Sequence, residues 1–349
     1  MTAATPSLTD DHLIASVFAE YGQLTQRHLR TYLPSGEPGS YLYDLIADYP
    51  RRGGKMLRPT LCLAAARAFG ARAEDAVASA VSIELLHNAL LIHDDIEDGS
   101  TERRGTPTLH ELHGIPLALN AGDALGLLSL SPLADNVGKL GVTLALRIFE
   151  EAQRMARETT EGQALELGWC RDNRVDLTDE DYLTMVLKKT CWLTTIHPLR
   201  VGCLIGTRDT RWLDPLVRLG FFFGAAFQIQ DDVLNLEGGA SYGKELNGDL
   251  LEGKRTLMII HAMREAAPDD RARVTRILAK PRRHRTARDV AWTRDLIRRS
   301  GGLTHARQVA RGLAGAALFE FDQIFGGLAD GRDAQFIRNL ITWVIERTN

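Results

Sequence analysis

The sequence predicts an all-α protein folded as one large helical bundle, a single domain over residues 1–349. Three observations predict it. Apolar residues recur at three- and four-residue steps, as in Leu13, Val17, Tyr21 and Leu24, the period of one helix face. Stretches such as Ala76–His93 run without glycine or proline. Strand-type alternation with hairpin turns is absent.

The polar residues 1–11 read as a flexible N-terminus with no apolar signal core. After the helix through Leu13 come Leu61–Phe69, Ala76–His93, Tyr182–Leu193, Leu216–Gln230, Leu257–Glu265 and Phe336–Arg347. Clusters of small and breaking residues, as at Pro34–Pro38 and Gly206–Thr210, punctuate them. Ordinary helix lengths give about a dozen helices in all. Leu85–Ile92 is apolar nearly all round apart from His87 and Asn88, which places it in the middle of a bundle. The arginine-rich segment Pro281–Arg288 reads as a solvated loop.

The net charge of −3 gives no basic field for nucleic acid. Cys62, Cys170, Cys191 and Cys203 lack metal-type spacing and fit a reduced, cytoplasmic protein. Apolar runs stop short of the roughly 18 residues of a membrane span, so stable membrane insertion is not expected.

The chemistry lies in two acidic clusters, Asp94-Asp95-Ile96-Glu97-Asp98 and Asp231-Asp232-Val233-Leu234-Asn235. Each closes a long apolar run, where uncompensated carboxylates are costly. Residues four apart share a helix face, so Asp94 pairs with Asp98 and Asp231 with Asn235, while Asp95 and Glu97 point elsewhere. Hard divalent cations such as Mg²⁺ bind oxygen ligands of this kind together with substrate phosphates. Basic residues are strung around the clusters: Lys55 and Arg58 before the first, Arg103 and Arg104 after it, Lys189 between, and Lys244 and Lys254 after the second. Arginine forks and mobile lysines suit phosphate oxygens. The set describes a pocket for two polyphosphate groups, one metal-bound and one held by lysine and arginine alone.

In chain order the motifs are GGKMLRP, HNALLIHDDIED, RRGTP, GQALEL, KT, FQIQDDVLN and GDLLEGKRT. In this set and order the chain resembles the trans-polyprenyl diphosphate synthases, and most of all the geranylgeranyl diphosphate synthases. The resemblance implies a helical bundle of the isoprenoid synthase type with a central substrate cavity, working as a homodimer. It implies Asp94, Asp98 and Asp231 as ligands of Mg²⁺, three ions per site, with Asp232 and Asn235 supporting the second metal site. Arg103, Lys189 and Lys254 would hold the allylic diphosphate, with Gln228 against the reacting centre, Thr190 as a further substrate-binding residue and Lys244 as a further phosphate contact. Gly54, Lys55, Arg58, His87 and Arg104 would bind isopentenyl diphosphate. Ionisation of the allylic diphosphate, attack by the isopentenyl double bond and loss of a proton would follow.

The resemblance also implies that the growing chain runs along the helix before Asp94, past Leu90 and Ala89 and then Leu86. An aromatic side chain at Leu90 or Ala89 would floor the pocket early; as it stands the sequence predicts a C20 product, with C15 or C25 and longer as alternatives. Trp192 is equally placed to line the pocket or to fill the core, and Cys191 reads as structural. A terpene cyclase on the same scaffold would keep the acidic clusters but would not need Lys55, Arg58, His87 and Arg104.

Overall fold

The computed structural model of the chain describes residues 8–238, 246–328 and 331–346. Its helices follow in order: α1 (Leu8–Tyr32), α2 (Asp44–Arg51), α3 (Leu57–Ala68), α4 (Ala73–Asp98), α5 (Leu109–His113), α6 (Ile115–Leu128), α7 (Leu130–Leu140), α8 (Val142–Arg171) and α9 (Asp179–Val186). They continue with α10 (His197–Thr207), α11 (Leu213–Glu237), α12 (Gly248–Glu252), α13 (Leu257–Glu265), α14 (Pro268–Leu278), α15 (Ala287–Arg299), α16 (Gly302–Phe325) and α17 (Arg332–Glu346). A two-residue hairpin, Glu102–Arg103 against Thr106–Pro107, follows α4. The described residues form seventeen α-helices, more than the dozen expected. Each segment expected to be helical is so, Tyr182–Leu193 as α9 and a π-helical run. Those not singled out include the long α8 and α16 as well as α5 and α12, the last two too brief for a 3.6-residue period to show. The flexible segment expected over residues 1–11 overlaps the start of α1 at Leu8, and residues 1–7 lie outside the described ones.

The core forms around helices with no polar face. α3 packs between α4 and α10, and α11 packs against α16. α4 also meets α6 and α7, so its apolar circumference is covered. A buried polar knot ties three helices together: Arg200 on α10, 2% exposed, donates from Nε and Nη2 to Glu151 of α8 at 2.6 and 2.7 Å and from Nη1 to the Leu213 carbonyl at the head of α11.

Tyr182–Leu193 is not one regular helix. α9 begins with a capping box between Thr178 and Asp181. It ends at Val186 and passes into a π-helical segment, Leu187–Ile196, that carries Lys189 and Thr190. This segment lies against α8 so closely that a Cβ at Gly162 would stand 2.1 Å from the Lys189 backbone nitrogen.

The basic stretch after α14 is solvated as expected at Pro281, Arg283, His284, Thr286 and Arg288, while Arg282 and Arg285 turn inward. Arg282–His284 forms a single 3₁₀ turn. Arg285 donates to the carbonyls of Leu251, Ile277 and Leu278.

By length and composition, Ala73–Asp98 and Ile115–Leu140 are apolar enough to cross a membrane. The first is the core helix α4. The second, α6 with α7, presents Ile115, Leu119, Leu127, Leu130 and Val137 to solvent.

Two predictions follow from the packing. Because the obstruction at Gly162 is backbone, Gly162→Ala is expected to destabilise the protein by about 3 kcal/mol, read as a lower denaturant midpoint. His197 is buried beside Glu151 and Arg200, its Nδ1 has no hydrogen-bond partner, and burial pulls its pKa down to about 4. The unfolded chain therefore takes up this proton first. The stability contribution is intact above the ordinary histidine pKa and is lost as pH falls from about 6.5 towards about 4, by about 3 kcal/mol in total. His197→Leu is expected to flatten unfolding free energy against pH across that window; an unchanged slope would contradict the burial of a neutral imidazole.

Candidate active site

Helix ends and loops bring the charged side chains to one cavity of about 610 Å³. α4 stops at Gly99, whose left-handed backbone (φ 61°) closes the helix one residue after Asp98. Asp94 thus stands in the last turns of α4, facing Asp231 and Asp232 on α11 across the cavity. The π-helical segment supplies Lys189 and Thr190, and the hairpin supplies Arg103 and Arg104. Lys254 comes from the loop before α13, whose start is capped by Thr256.

In the acidic half, every cation that reaches the first cluster also grips a second carboxylate. Lys189 Nζ is 3.3 Å from Asp94 and bonds Glu166. Lys254 Nζ is 2.7 Å from Asp98 and 2.8 Å from Glu252. Arg103 is 3.5 Å from Asp94 and donates from Nε to Asp95 at 2.9 Å. Burial raises the Asp94 acid, but Lys189, Lys254 and Arg103 reverse the effect and hold it well below the ordinary carboxylate range. Burial pushes Asp98 up to about 7 against Lys254, with Asp94 and Glu252 adding to the rise.

The second aspartate of each cluster is held by a buried phenol. Tyr49 donates to Asp95, and Tyr182 donates to Asp232 Oδ2 at 2.7 Å. Asp232 Oδ1 accepts from Gln228 Nε2 at 2.7 Å, and Gln228 Oε1 accepts from Thr190 at 2.9 Å. Both oxygens of Asp232 are therefore engaged, and burial pushes the acid up to about 7. Asn235 is buried, with Oδ1 accepting from the Asp249 backbone N–H at 3.2 Å. The expected cavity position of Asn235 is taken instead by Asp249, one loop further on.

The other half of the cavity is cationic. Arg58 Nη1 and His87 Nε2 are 3.2 Å apart. Arg104 donates to the Tyr49 carbonyl at 3.2 Å and lies over Gly54, where a Cβ would stand 2.8 Å from Nη2. The Lys55 ammonium lies at the rim, 5.2 Å from the centre of the Trp343 ring. Burial, then Arg58, Arg104 and Arg103, drive the His87 pKa well below its ordinary value. Burial likewise brings Arg58 down to about 10 despite the buried Glu84 carboxylate beneath it. A massed positive charge of this kind calls for an anion.

Lys244 lies outside the described residues. Leu90, Leu91, Leu193 and Phe227 form an apolar wall of the cavity. Ala89, expected along the growing chain, is buried facing Gly126 of α6, and Leu86 packs into the core beside α11. Trp192 is a core residue roofed by the Arg154 guanidinium at 4.6 Å, and burial pushes the Cys191 thiol well up. Glu97, expected to point elsewhere, lines the cavity and accepts from Gln163 Nε2 at 2.5 Å, while Asp98, expected beside Asp94, is not among the lining residues and is held by Lys254. The residues that sequence reasoning missed are Glu166, Asp249, Glu252, Tyr49 and Tyr182. Asp249 and Glu252 sit inside GDLLEGKRT, where the lysine drew attention and its carboxylate neighbours did not, and Glu166 sits inside GQALEL.

The oxygen-only donors of the acidic half fit a hard divalent cation. Among the described residues no three acidic, histidine or cysteine side chains gather tightly enough to hold an ion by themselves. The missing positions would fall to diphosphate oxygens and water, the usual shell of Mg²⁺.

Comparison with known proteins agrees with this geometry. Residues 40–295 match the polyprenyl synthetase family. A short chain isoprenyl diphosphate synthase of Methanothermobacter thermautotrophicus is 35% identical over 298 residues, covering 85% of this chain and 88% of that one. The crystal structure of a geranylgeranyl pyrophosphate synthetase from Pyrococcus horikoshii superposes with a TM-score of 0.84 at 30% identity, covering 97% of this chain and 99% of that one. A geranylgeranyl pyrophosphate synthase from Corynebacterium glutamicum, solved with isoprenyl diphosphate and magnesium, gives a TM-score of 0.79 at 25% identity over 97% of this chain and 99% of that one. Fold and site define an all-α enzyme of the isoprenoid synthase type. The chain belongs to the polyprenyl synthetase family and is a prenyltransferase.

Proposed function

We propose that the described chain acts as one catalytic unit that condenses isopentenyl diphosphate with an allylic diphosphate and releases geranylgeranyl diphosphate, a C20 product. The observation that carries this reading is the division of one cavity into two halves. Asp94, Asp231 and Asp249 line one, and Lys55, Arg58 and Arg104 line the other with Glu84 buried below. A cyclase, which takes a single diphosphate, has no use for the second half.

Asp94, Asp98 and Asp231 would hold Mg²⁺, three ions per site, with Asp232 and Asp249 as neighbouring carboxylates and Asn235 fixing the first turn of α12, which carries Asp249. When bound, the metal supplies Lewis acidity at the departing diphosphate. The magnesium in the Corynebacterium glutamicum structure supports this choice of ion. Arg103, Lys189 and Lys254 take the charge that develops on the allylic diphosphate. Gln228, fixed by Thr190 and Asp232, lies against the allylic carbon. Arg58, His87, Arg104 and Lys55 hold isopentenyl diphosphate with its double bond aimed at that carbon, so that alignment supplies much of the rate. As the carbon–carbon bond forms, the departing diphosphate takes the released proton. The wall of Leu90, Leu91, Leu193 and Phe227 keeps water from the cation.

The exposed apolar side chains of α6 and α7 support a homodimer joined along that face, with Leu127, 70% exposed, at its centre. We place the enzyme in the cytoplasm, unattached to membrane or nucleic acid.

Two experiments test the reading. Incubation with Mg²⁺, isopentenyl diphosphate and each allylic diphosphate in turn should give C20 diphosphate by mass. Asp94→Ala and Asp231→Ala should each lower kcat at least about a hundredfold with the fold intact by circular dichroism. Hydrocarbon from a single prenyl diphosphate without elongation would replace this reading with cyclisation. Product length is expected to respond at Leu90, which lines the cavity: Leu90→Phe should shift the product towards C15. Ala89→Phe should instead disturb the contact with α6 and lower thermal stability.

A further inference from the structure

The basic segment after α14 has no place in the condensation chemistry, yet it is docked on the loop that carries Lys254. Arg282, mostly buried, donates from Nη1 to Glu252 Oε1 at 3.0 Å. The same oxygen accepts from Ser100 at 3.2 Å, just past the end of α4. The other oxygen, Oε2, stands 2.8 Å from Lys254 Nζ, and Lys254 reaches Asp98 at 2.7 Å. A continuous chain of charge therefore runs from Arg282 through Glu252 and Lys254 to Asp98.

Backbone geometry fixes the same loop. Gly253 has φ 75°, a conformation that disfavours any side chain, and a Cβ there would stand 2.3 Å from Arg285 Nη2. Arg285 lies flat on this glycine while bonding the Leu251 carbonyl. From the other side Arg255 bonds the Gly253 and Arg174 carbonyls and, at 2.7 Å, Asn173 Oδ1. Lys254 is thus the middle residue of a loop clamped by two guanidinium groups, and its own amine is steered by a carboxylate that a third holds in place.

We propose that Arg282 is a positioning residue for the allylic diphosphate, acting through Glu252 on Lys254. Glu252 alone would be a buried anion free to swing between Ser100 and Lys254. With Arg282 on Oε1, Oε2 stays on Lys254, and the amine stays beside Asp98 whether Asp98 or a diphosphate is its other partner. Loss of Arg282 leaves the Glu252 charge under-compensated, so it draws Lys254 away from the substrate. Partners one step removed from metal and phosphate sites alter affinity or activity by about 10- to 100-fold.

This inference rests on the assignment of Lys254 to the allylic diphosphate, so Lys254→Ala is measured alongside. Kinetics are run with each substrate varied in turn and with Mg²⁺ varied. Arg282→Ala should raise KM for the allylic diphosphate at least about tenfold and raise the Mg²⁺ needed for half activity, while KM for isopentenyl diphosphate stays within about twofold because that pocket lies in the other half of the cavity. Arg282→Lys, which keeps the charge, should recover most of the effect. Unchanged allylic KM in a folded Arg282→Ala overturns the inference, as does an equal rise in both KM values. So does a loss that Arg282→Lys shares along with a lowered melting temperature, which is the mark of a merely structural arginine. If Lys254→Ala itself leaves the allylic KM unchanged, the assignment of Lys254 falls, and the inference with it.

Discussion

The structure turns on one electrostatic constraint: Asp94 and Asp98 are carboxylates withdrawn from water at the C-terminal end of a helix. That end of the helix dipole already carries partial negative charge, so the position is doubly unfavourable for an anion. Lys189, Lys254 and Arg103 neutralise them. Each of these cations also has a carboxylate of its own, Glu166, Glu252 and Asp95 respectively. The second partners hold the cations at the rim of the cavity even when the aspartates are otherwise engaged. The rest of the local architecture supplies those partners. α8 brings Glu166 against the π-helical segment, α12 brings Glu252 under the loop of Lys254, and Tyr49 holds Asp95 for Arg103.

The opposite half of the cavity is built on the reverse principle. Arg58, Arg104 and His87 crowd together over the buried carboxylate Glu84, with Asp231 also acting on Arg58, and both arginines are pulled below the ordinary guanidinium value, burial being the largest cause. The neutral His87 is the outcome first of burial and then of that crowding. A site with balanced charge needs a cation to bring phosphate in, whereas this half can take an anion directly. The difference between halves, rather than either acidic cluster alone, is what separates elongation from cyclisation on such a scaffold.

Much of this was legible in the sequence where chemistry repeats at helical spacing. Asp94 and the basic residues of GGKMLRP and RRGTP are read from residue type and order, whereas helical spacing chose Asp98 over Glu97 and the cavity is lined by Glu97. The all-round apolar character of α4 and α11 put the acidic clusters at the ends of core helices. What was not legible depends on contacts between segments distant in the chain. Nothing in the spacing pairs Tyr182 with Asp232 or Tyr49 with Asp95, because one tyrosine comes from α9 and the other from α2. The π-helical turn that aims Lys189 leaves no mark on an apolar period measured over a few residues. Most of Pro281–Arg288 is solvated, as a run of arginines usually is. That Arg282 and Arg285 turn inward depends on Glu252 and the bare backbone of Gly253, some thirty residues earlier. Ala89 and Leu90 are neighbours in sequence, yet a rotation of one residue sends one towards α6 and the other into the cavity.

The doubled partners of Lys189, Lys254 and Arg103 have a thermodynamic consequence on the proposed reading. Asp94 and Asp98 cannot serve a cationic side chain and a metal ion fully at once. When the aspartates turn to a metal, the freed faces of Lys189, Lys254 and Arg103 become available to diphosphate oxygens, while Glu166, Glu252 and Asp95 keep the side chains from drifting into solvent. Diphosphate and metal therefore favour one another's binding, and by linkage the favour is equal in both directions. The coupling depends on the second carboxylates staying fixed. If Glu252 moved with Lys254, the lysine would leave Asp98 without gaining a defined new position, and the free energy released at the aspartates would be lost as disorder. The residues that fix the second carboxylates, Arg282 and Ser100 for Glu252 and Tyr49 for Asp95, thus belong to the same electrostatic device as the aspartates, although none of them faces the reacting carbon.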